Sequence, residues 1–253
     1  MAKPFKTRSA TSIPEYLSVF EDTVRAWTDP RRGTVRPWCR GVEDASFGLV
    51  PTEYWGPAIN SDEVRAEFQL RALPLLDQVP KNEWEWYFLM RHHGLPTRLL
   101  DWTTGSLVAL YFAVREKPGG KDAAVWVLDP WALNEHSVKK AELLLATDRL
   151  AAPYLQQPYP KRPQKMPKYP AAIVPSHNSA RITVQRGAFT IHGLSRAGIE
   201  KSFTKRLLQI VIPKLEAVPI KRALRMAGIG EFTVFPELDG LCREICAAHR
   251  DGC

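Results

Sequence analysis

The segment 84–114, WEWYFLMRHHGLPTRLLDWTTGSLVALYFAV, constrains this chain more than any other part of it. It begins with aromatic and apolar residues at helical spacing, crosses a polar turn, and ends in an apolar run over Ser106–Val114 that reads as a helix. The turn holds His92, His93, Thr97, Arg98, Asp101, Thr103 and Thr104, side chains suited to anions and to ribose hydroxyls. A run that only had to fold would not need so many of them.

A chain of 253 residues, 45% hydrophobic and 25% charged, can bury a sizeable core. It reads as a helical segment over residues 1–34 followed by one domain over 35–253, with a proline-rich basic loop at 151–180. The formal net charge of +8 favours polyanionic partners. Within the loop Lys161, Arg162, Lys165 and Lys168 alternate with Tyr154, Tyr159 and Tyr169, a pattern suited to phosphate contact and base stacking, or else to a solvated connector. Cys39, Cys242, Cys246 and Cys253 lack disulfide-framework spacing and are expected as reduced, buried thiols. With no secretory signal, long apolar span or lipidation motif read at the N-terminus, the expectation is a soluble cytoplasmic protein with no membrane partner.

Helices are expected over 13–27, 61–76, 81–92, 106–114, 131–150, 220–226 and 238–249, the third opened by an Asn82 cap. Strands are expected over 35–40, 125–128, 182–185, 189–192 and 208–212. The alternation in ITVQ and FTIH and the short link through Arg186-Gly187 predict antiparallel neighbours. Prolines at 153, 158, 160, 163, 167, 170 and 175 predict irregular chain up to Arg181.

The combination WCRG, HHGLPTRLLDWTTGSLVALYFA, RITVQRGAFTIHG and VFPELDGL resembles the FRG domain family from Trp38 to Leu241, with Cys39-Arg40-Gly41 in place of the Phe-Arg-Gly tripeptide. Asp101-Trp102-Thr103-Thr104, followed by Ala109-Leu110-Tyr111-Phe112-Ala113, is also similar to the middle segment of arginine–serine–glutamate ADP-ribosyltransferases. That resemblance implies an α+β fold: a single domain with a split, largely antiparallel sheet flanked by helices. It implies NAD as co-substrate, held by Arg40 with Thr103 and Thr104 scaffolding the nicotinamide ribose. The remaining cofactor-binding candidates are His92, His93, Thr97 and Arg98.

The family's catalytic glutamate has no counterpart, because ARITVQRGAF offers Gln185 and no carboxylate. Cleaving the nicotinamide–ribose bond builds positive charge on the ribose, which an amide orients around but cannot neutralise. Asp101, Glu237 or Asp239 would then supply the acid, so the catalytic candidates are Arg40, Asp101, Gln185 and Glu237. Each has a structural reading beside it: Arg40 pairing with Asp101, Arg98 pairing locally with Asp101, Glu237 starting a helix. Two functions follow. One is an NAD-consuming ADP-ribosyltransferase-like effector acting on a macromolecule, RNA or DNA favoured over protein, as a toxin or phage-defence component with an antitoxin or other neutralising protein as partner. The other is a non-catalytic nucleotide or nucleic-acid binding module on the same fold. No Cys/His spacing fits a metal, and neither a G-x-G-x-x-G turn, a phosphate loop nor a G-x-S-x-G elbow is present.

Overall fold

In the computed structural model the described residues are 5–30, 33–57, 61–116, 120–155, 165–175 and 184–250. They build an α+β domain around a mixed eight-stranded sheet. In chain order the strands are β1 (Lys6–Ser9), β2 (Trp38–Val42), β3 (Leu99–Thr103), β4 (Ala123–Leu128), β5 (Leu144–Leu145), β6 (Ala171–Val174), β7 (Gly187–Ile191) and β8 (Leu207–Ile212). Their spatial order is β1-β8-β4-β2-β3-β7-β6-β5. Five of the seven pairings are antiparallel, and the two edge pairs, β1 with β8 and β5 with β6, are parallel.

Alternation along the strands gives the sheet two faces with different cover. On one face Cys39, Val125, Val127, Ile210 and Ile212 pack under helices α1 (Ile13–Trp27) and α4 (Ser106–Val114). On the same face of the other half, Leu99, Phe189, Ile191 and Ile173 pack under α3 (Glu83–His92). The opposite face is one continuous cluster built on Trp38, Trp102, Trp126 and Leu128. Helix α2 (Ser61–Ala72) lies beside α3, and α5 (Pro130–Val138) lies against β6. Four helices complete the described chain: α6 (Ile199–Ser202), α7 (Ala217–Met226), α8 (Glu231–Val234) and α9 (Leu238–Arg250).

The sheet is open at its middle. Strands β2 and β3 share a single register pair, Cys39 with Thr103, whereas β2 and β4 share five. Beyond that contact the two halves diverge, and Arg40 spans the opening by donating from Nη1 to the Asp101 carbonyl at 2.8 Å. Gly41 explains how α4 reaches the same place. A Cβ there would stand 2.0 Å from the Ala109 carbonyl oxygen and 2.5 Å from the Ala113 nitrogen, so only glycine lets α4 seat on β2.

Several expectations need correction. The 1–34 segment is not only helical, since β1 joins the sheet. The strand placed at 35–40 begins at Trp38 and runs to Val42. The polar turn after α3 contains a true strand, β3, whose five residues all pair with β7. Val184 and Gln185 are not strand, and Arg181 and Ile182 lie outside the described residues. The helix expected to run to residue 150 ends at Val138, where Lys139 turns left-handed at φ 63°. Proline-flanked Ala171–Val174 is a strand because Asn134 holds it: its Nδ2 donates to the Ala172 carbonyl at 2.9 Å and its Oδ1 accepts from the Ala172 N–H at 2.7 Å. No helix among the described residues is long and apolar enough to cross a membrane.

Candidate functional site

The diverging halves of the sheet leave a cleft of about 340 Å³ on the face shared by α3 and α4, at the small end of the range for ligand sites, about 300–1,000 Å³. Its floor is Cys39–Gly41 of β2 and Asp101–Thr103 of β3; α3 contributes Phe88, Arg91 and His92. From the other side come Phe112 of α4 and the adjoining Arg115, with Gln185, Phe189 and Phe235 closing the rim. Three guanidinium groups and one carboxylate thus meet among aromatic rings.

The electrostatics centre on Asp101. Arg91 Nε donates to both of its oxygens at 3.1 Å and Nη2 adds a short bond, while Arg40 Nη1 stands 3.6 Å from Oδ2. Arg91 Nη1 also donates to the Thr52 hydroxyl at 3.0 Å, which fixes the plane of the fork. Desolvation pushes the Asp101 carboxyl up, but Arg91 and then Arg40 outweigh it and hold the group below its ordinary value. Burial lowers the Arg40 pKa, and Asp101 opposes that shift. The Asp101 side chain is 43% exposed and both arginines 17%, so the carboxylate still faces the open cleft. The Arg40 Nε is buried with no hydrogen-bond partner.

Arg115 is held from behind. Its Nε and Nη2 donate to Glu231 at 3.1 and 2.9 Å, and its guanidinium lies 4.5 Å over the Phe235 ring. Glu231 also accepts a short bond from the Tyr111 hydroxyl, and burial, then Glu231, raises the tyrosine pKa well above its usual value. This arrangement turns one face of Arg115 to the cleft and keeps its charge partly neutralised.

The structure divides the sequence-derived candidates. Arg40, His92, Asp101, Thr103 and Gln185 line the cleft together. Thr103 and Gln185 are engaged as well: the Thr103 hydroxyl donates to the Gln185 carbonyl at 2.6 Å and accepts from the Gly105 N–H at 2.9 Å, and Gln185 Nε2 donates to the Val234 carbonyl at 3.1 Å. His93 and Thr104 are exposed outside the cleft, and Thr97 is fully buried. Arg98 does not pair with Asp101; it donates to the carbonyls of His192, at 2.6 Å, and Tyr154, tying loops together away from the cleft. Glu237 and Asp239 lie in a separate shallow depression with Phe232 and Leu238. Arg91 and Arg115 were not among the candidates, although each closes a helix beside the central motif, a place where a cation is free to reach inward.

Of the basic loop, Tyr159, Lys161 and Arg162 lie outside the described residues, as do His177 and Cys253. Lys165 and Lys168 are exposed, and Tyr169 packs on His136 with ring centroids 5.0 Å apart, so it is not free to stack a base. Cys39 is buried, but Cys242 and Cys246 are exposed, contrary to the expectation of buried thiols. No cluster of three or more His, Cys, Asp or Glu side chains suited to a metal occurs among the described residues.

Residues 36–122 match the FRG domain. The match ends well before the Leu241 limit read from sequence, yet it supplies eleven of the fourteen cleft-lining residues, so the FRG segment and the cleft walls are nearly the same object. Its arginine and glycine have distinct tasks here: Arg40 bridges the opened strands, and Gly41 admits α4. No curated protein and no solved structure matches the chain.

Proposed function

We propose that the cleft binds NAD and that the protein is an NAD-dependent ADP-ribosyltransferase-like effector whose acceptor is a nucleic acid. The observation that carries this reading is the convergence of Arg40, Arg91, Arg115 and a single ionised carboxylate, Asp101, on a cleft opened between two strands and walled by aromatic rings. Arginines supply bidentate contacts to a pyrophosphate, and ring faces such as Phe112 and Phe189 receive a base or the nicotinamide. Phosphate then competes with Asp101 for the Arg91 and Arg40 guanidiniums. The freed carboxylate accepts from a ribose hydroxyl and stabilises the positive charge that develops as the glycosidic bond breaks. In this reading Asp101 replaces the absent glutamate, and Gln185 orients the substrate.

The nucleic-acid preference rests on charge and on an exposed strip beside the α3 wall. Trp55 is 61% exposed, its ring 6.2 Å from Phe47, and Arg196 lies 4.9 Å over the neighbouring Tyr54. Lys168 adjoins this strip through the Ser195 N–H bond to its carbonyl, 3.0 Å. With a net charge of +8, these groups suit phosphate contact and base stacking. A cytoplasmic toxin or defence role with a neutralising protein partner belongs to the same proposal.

The binding-module reading keeps one observation in its favour: Arg91 engages both oxygens of Asp101, and Gln185 Nε2 is tied to a backbone carbonyl. One incubation separates the two. With NAD labelled on the adenylate and offered RNA, DNA and protein pools, the transferase reading predicts label retained on a nucleic acid with equimolar nicotinamide released. NAD bound but unconsumed selects the binding module; no NAD binding refutes the transferase reading and leaves only a module for another nucleotide or for nucleic acid.

A further inference from the structure

The last helix, α9, is seated the wrong way round for a solvent-facing helix. At about 100° per residue, Leu238, Cys242 and Ile245 point within about 40° of one direction, with Leu241 and Cys246 flanking them. Arg243, Glu244 and Gly240 point the opposite way. These polar and small residues face the protein body. Arg243 Nε donates to Glu231 at 2.7 Å, Glu244 accepts from the Phe232 N–H at 2.8 Å, and a Cβ on Gly240 would stand 2.0 Å from the Phe235 carbonyl oxygen. The apolar stripe is therefore turned outward. Leu238 is 79% exposed, Ile245 49%, and both cysteines are exposed.

We propose that this face is the interface of a homodimer in which α9 packs antiparallel against α9 of a second copy. Residues 238, 242, 245 and 249 alternate at spacings of four, three and four, the seam of a two-helix packing. The ends of the helix decide the partner and its direction. Glu237 and Asp239 flank the start and His249 lies near the end, so an antiparallel second copy sets carboxylates beside an imidazole at both ends. The helix dipoles oppose favourably in the same arrangement, whereas a parallel pair would bring like charges together. Leu238 then meets His249 of the second copy, and Cys242 meets its Ile245. A helix of 13 residues is about 20 Å long and buries less than a standard interface, so the dimer forms reversibly with concentration.

Light scattering across a concentration series tests this on the full chain. The average mass of the wild type should climb from one chain towards two, while Ile245→Glu and Leu238→Glu stay monomeric with an unchanged circular dichroism spectrum and an unchanged melting midpoint in dilute solution. With Cys242, Cys246 and Cys253 replaced by serine, a Leu238→Cys/His249→Cys variant should oxidise to a dimer linked 238 to 249. Eleven residues apart on one helix, these two cannot bridge within a chain. A wild type that stays monomeric up to near-millimolar concentration overturns the proposal in favour of a different partner for this face. So does a dimer that Ile245→Glu leaves intact, a 238–238 crosslink, or unfolding by Ile245→Glu, which would mean that the stripe packs on its own chain.

Discussion

Gly41→Ala should damage the domain out of proportion to the single methyl group it adds. The new Cβ would stand 2.0 Å from the Ala109 carbonyl oxygen, 2.5 Å from the Ala113 nitrogen and 2.9 Å from Phe112 Cβ, and ordinary contact begins near 3.4 Å. Two of these are backbone atoms of α4, so no rotamer relieves the overlap, and the helix must retreat by roughly 1.4 Å. Overpacking costs typically about 1–3 kcal/mol, and a clash with backbone belongs at the upper end. At about 2–4 °C per kcal/mol for a chain of this size, a loss of about 3 kcal/mol lowers the melting midpoint by roughly 6–12 °C. The retreat also carries Phe112 and Arg115 away from the cleft, so ligand affinity falls in whatever fraction stays folded. Gly56→Ala is the control: its Cβ would meet nothing within 4 Å, and the midpoint should move by less than about 2 °C. Differential scanning calorimetry of both variants decides the matter. A Gly41→Ala midpoint within about 2 °C of wild type would refute the seating of α4 on β2.

Arg98→Gln removes a charged donor from the His192 and Tyr154 carbonyls and should cost about 1.5–3 kcal/mol in urea unfolding while leaving cleft-ligand affinity unchanged; a loss of affinity would return Arg98 to the site. Burial, then the charge of Arg98, depresses the His192 pKa from 6.5 to about 4, so the unfolded chain takes up its proton first. Stability should fall by about 3 kcal/mol as pH drops from 6.5 to about 4 and then level off, and His192→Gln should flatten that segment of the profile. Because Asp101 titrates below its usual 3.8, its pairing with Arg91 is fully present above that pH and is lost as pH falls through the lower folded value. The stability gap between wild type and Arg91→Gln should therefore be constant near neutrality and close in acid; a gap that closes between pH 7 and 5 would contradict the pairing.

What the sequence revealed depended on whether a feature was local. Helices α3 and α4 were legible because their apolar spacing and the Asn82 cap, whose side chain accepts from the Glu85 N–H at 3.0 Å, are encoded within a few residues. β3 was not, since LLDWT carries a central acid and sits among turn residues; its strand character comes from pairing with β7, nearly ninety residues later. The same error misdirected the charge pairing. Residues 98 and 101 can meet on a helix turn, but in extended chain an odd separation sends them to opposite faces, leaving Asp101 to Arg91 on the helix above. Arg40, His92, Thr103 and Gln185 could be brought together on paper by resemblance, whereas Arg91 and Arg115 enter the cleft only through the crossing of α3 and α4 over the opened sheet. β6 was hidden by its prolines and is held by an Asn134 clamp that no local pattern announces.

On the function proposed above, the opened seam between β2 and β3 is an anion-gripping nucleotide site centred on Arg40 and Arg91. Isothermal titration of ADP-ribose into the wild type, Arg40→Gln, Arg91→Gln and Arg98→Gln probes that site. The wild type should show one site per chain, each cleft variant at least tenfold weaker binding, about 1.4 kcal/mol, and Arg98→Gln unchanged binding. A wild type that takes up no ADP-ribose, or an Arg40→Gln protein that binds it as tightly as the wild type, would mean that the seam is not a nucleotide site.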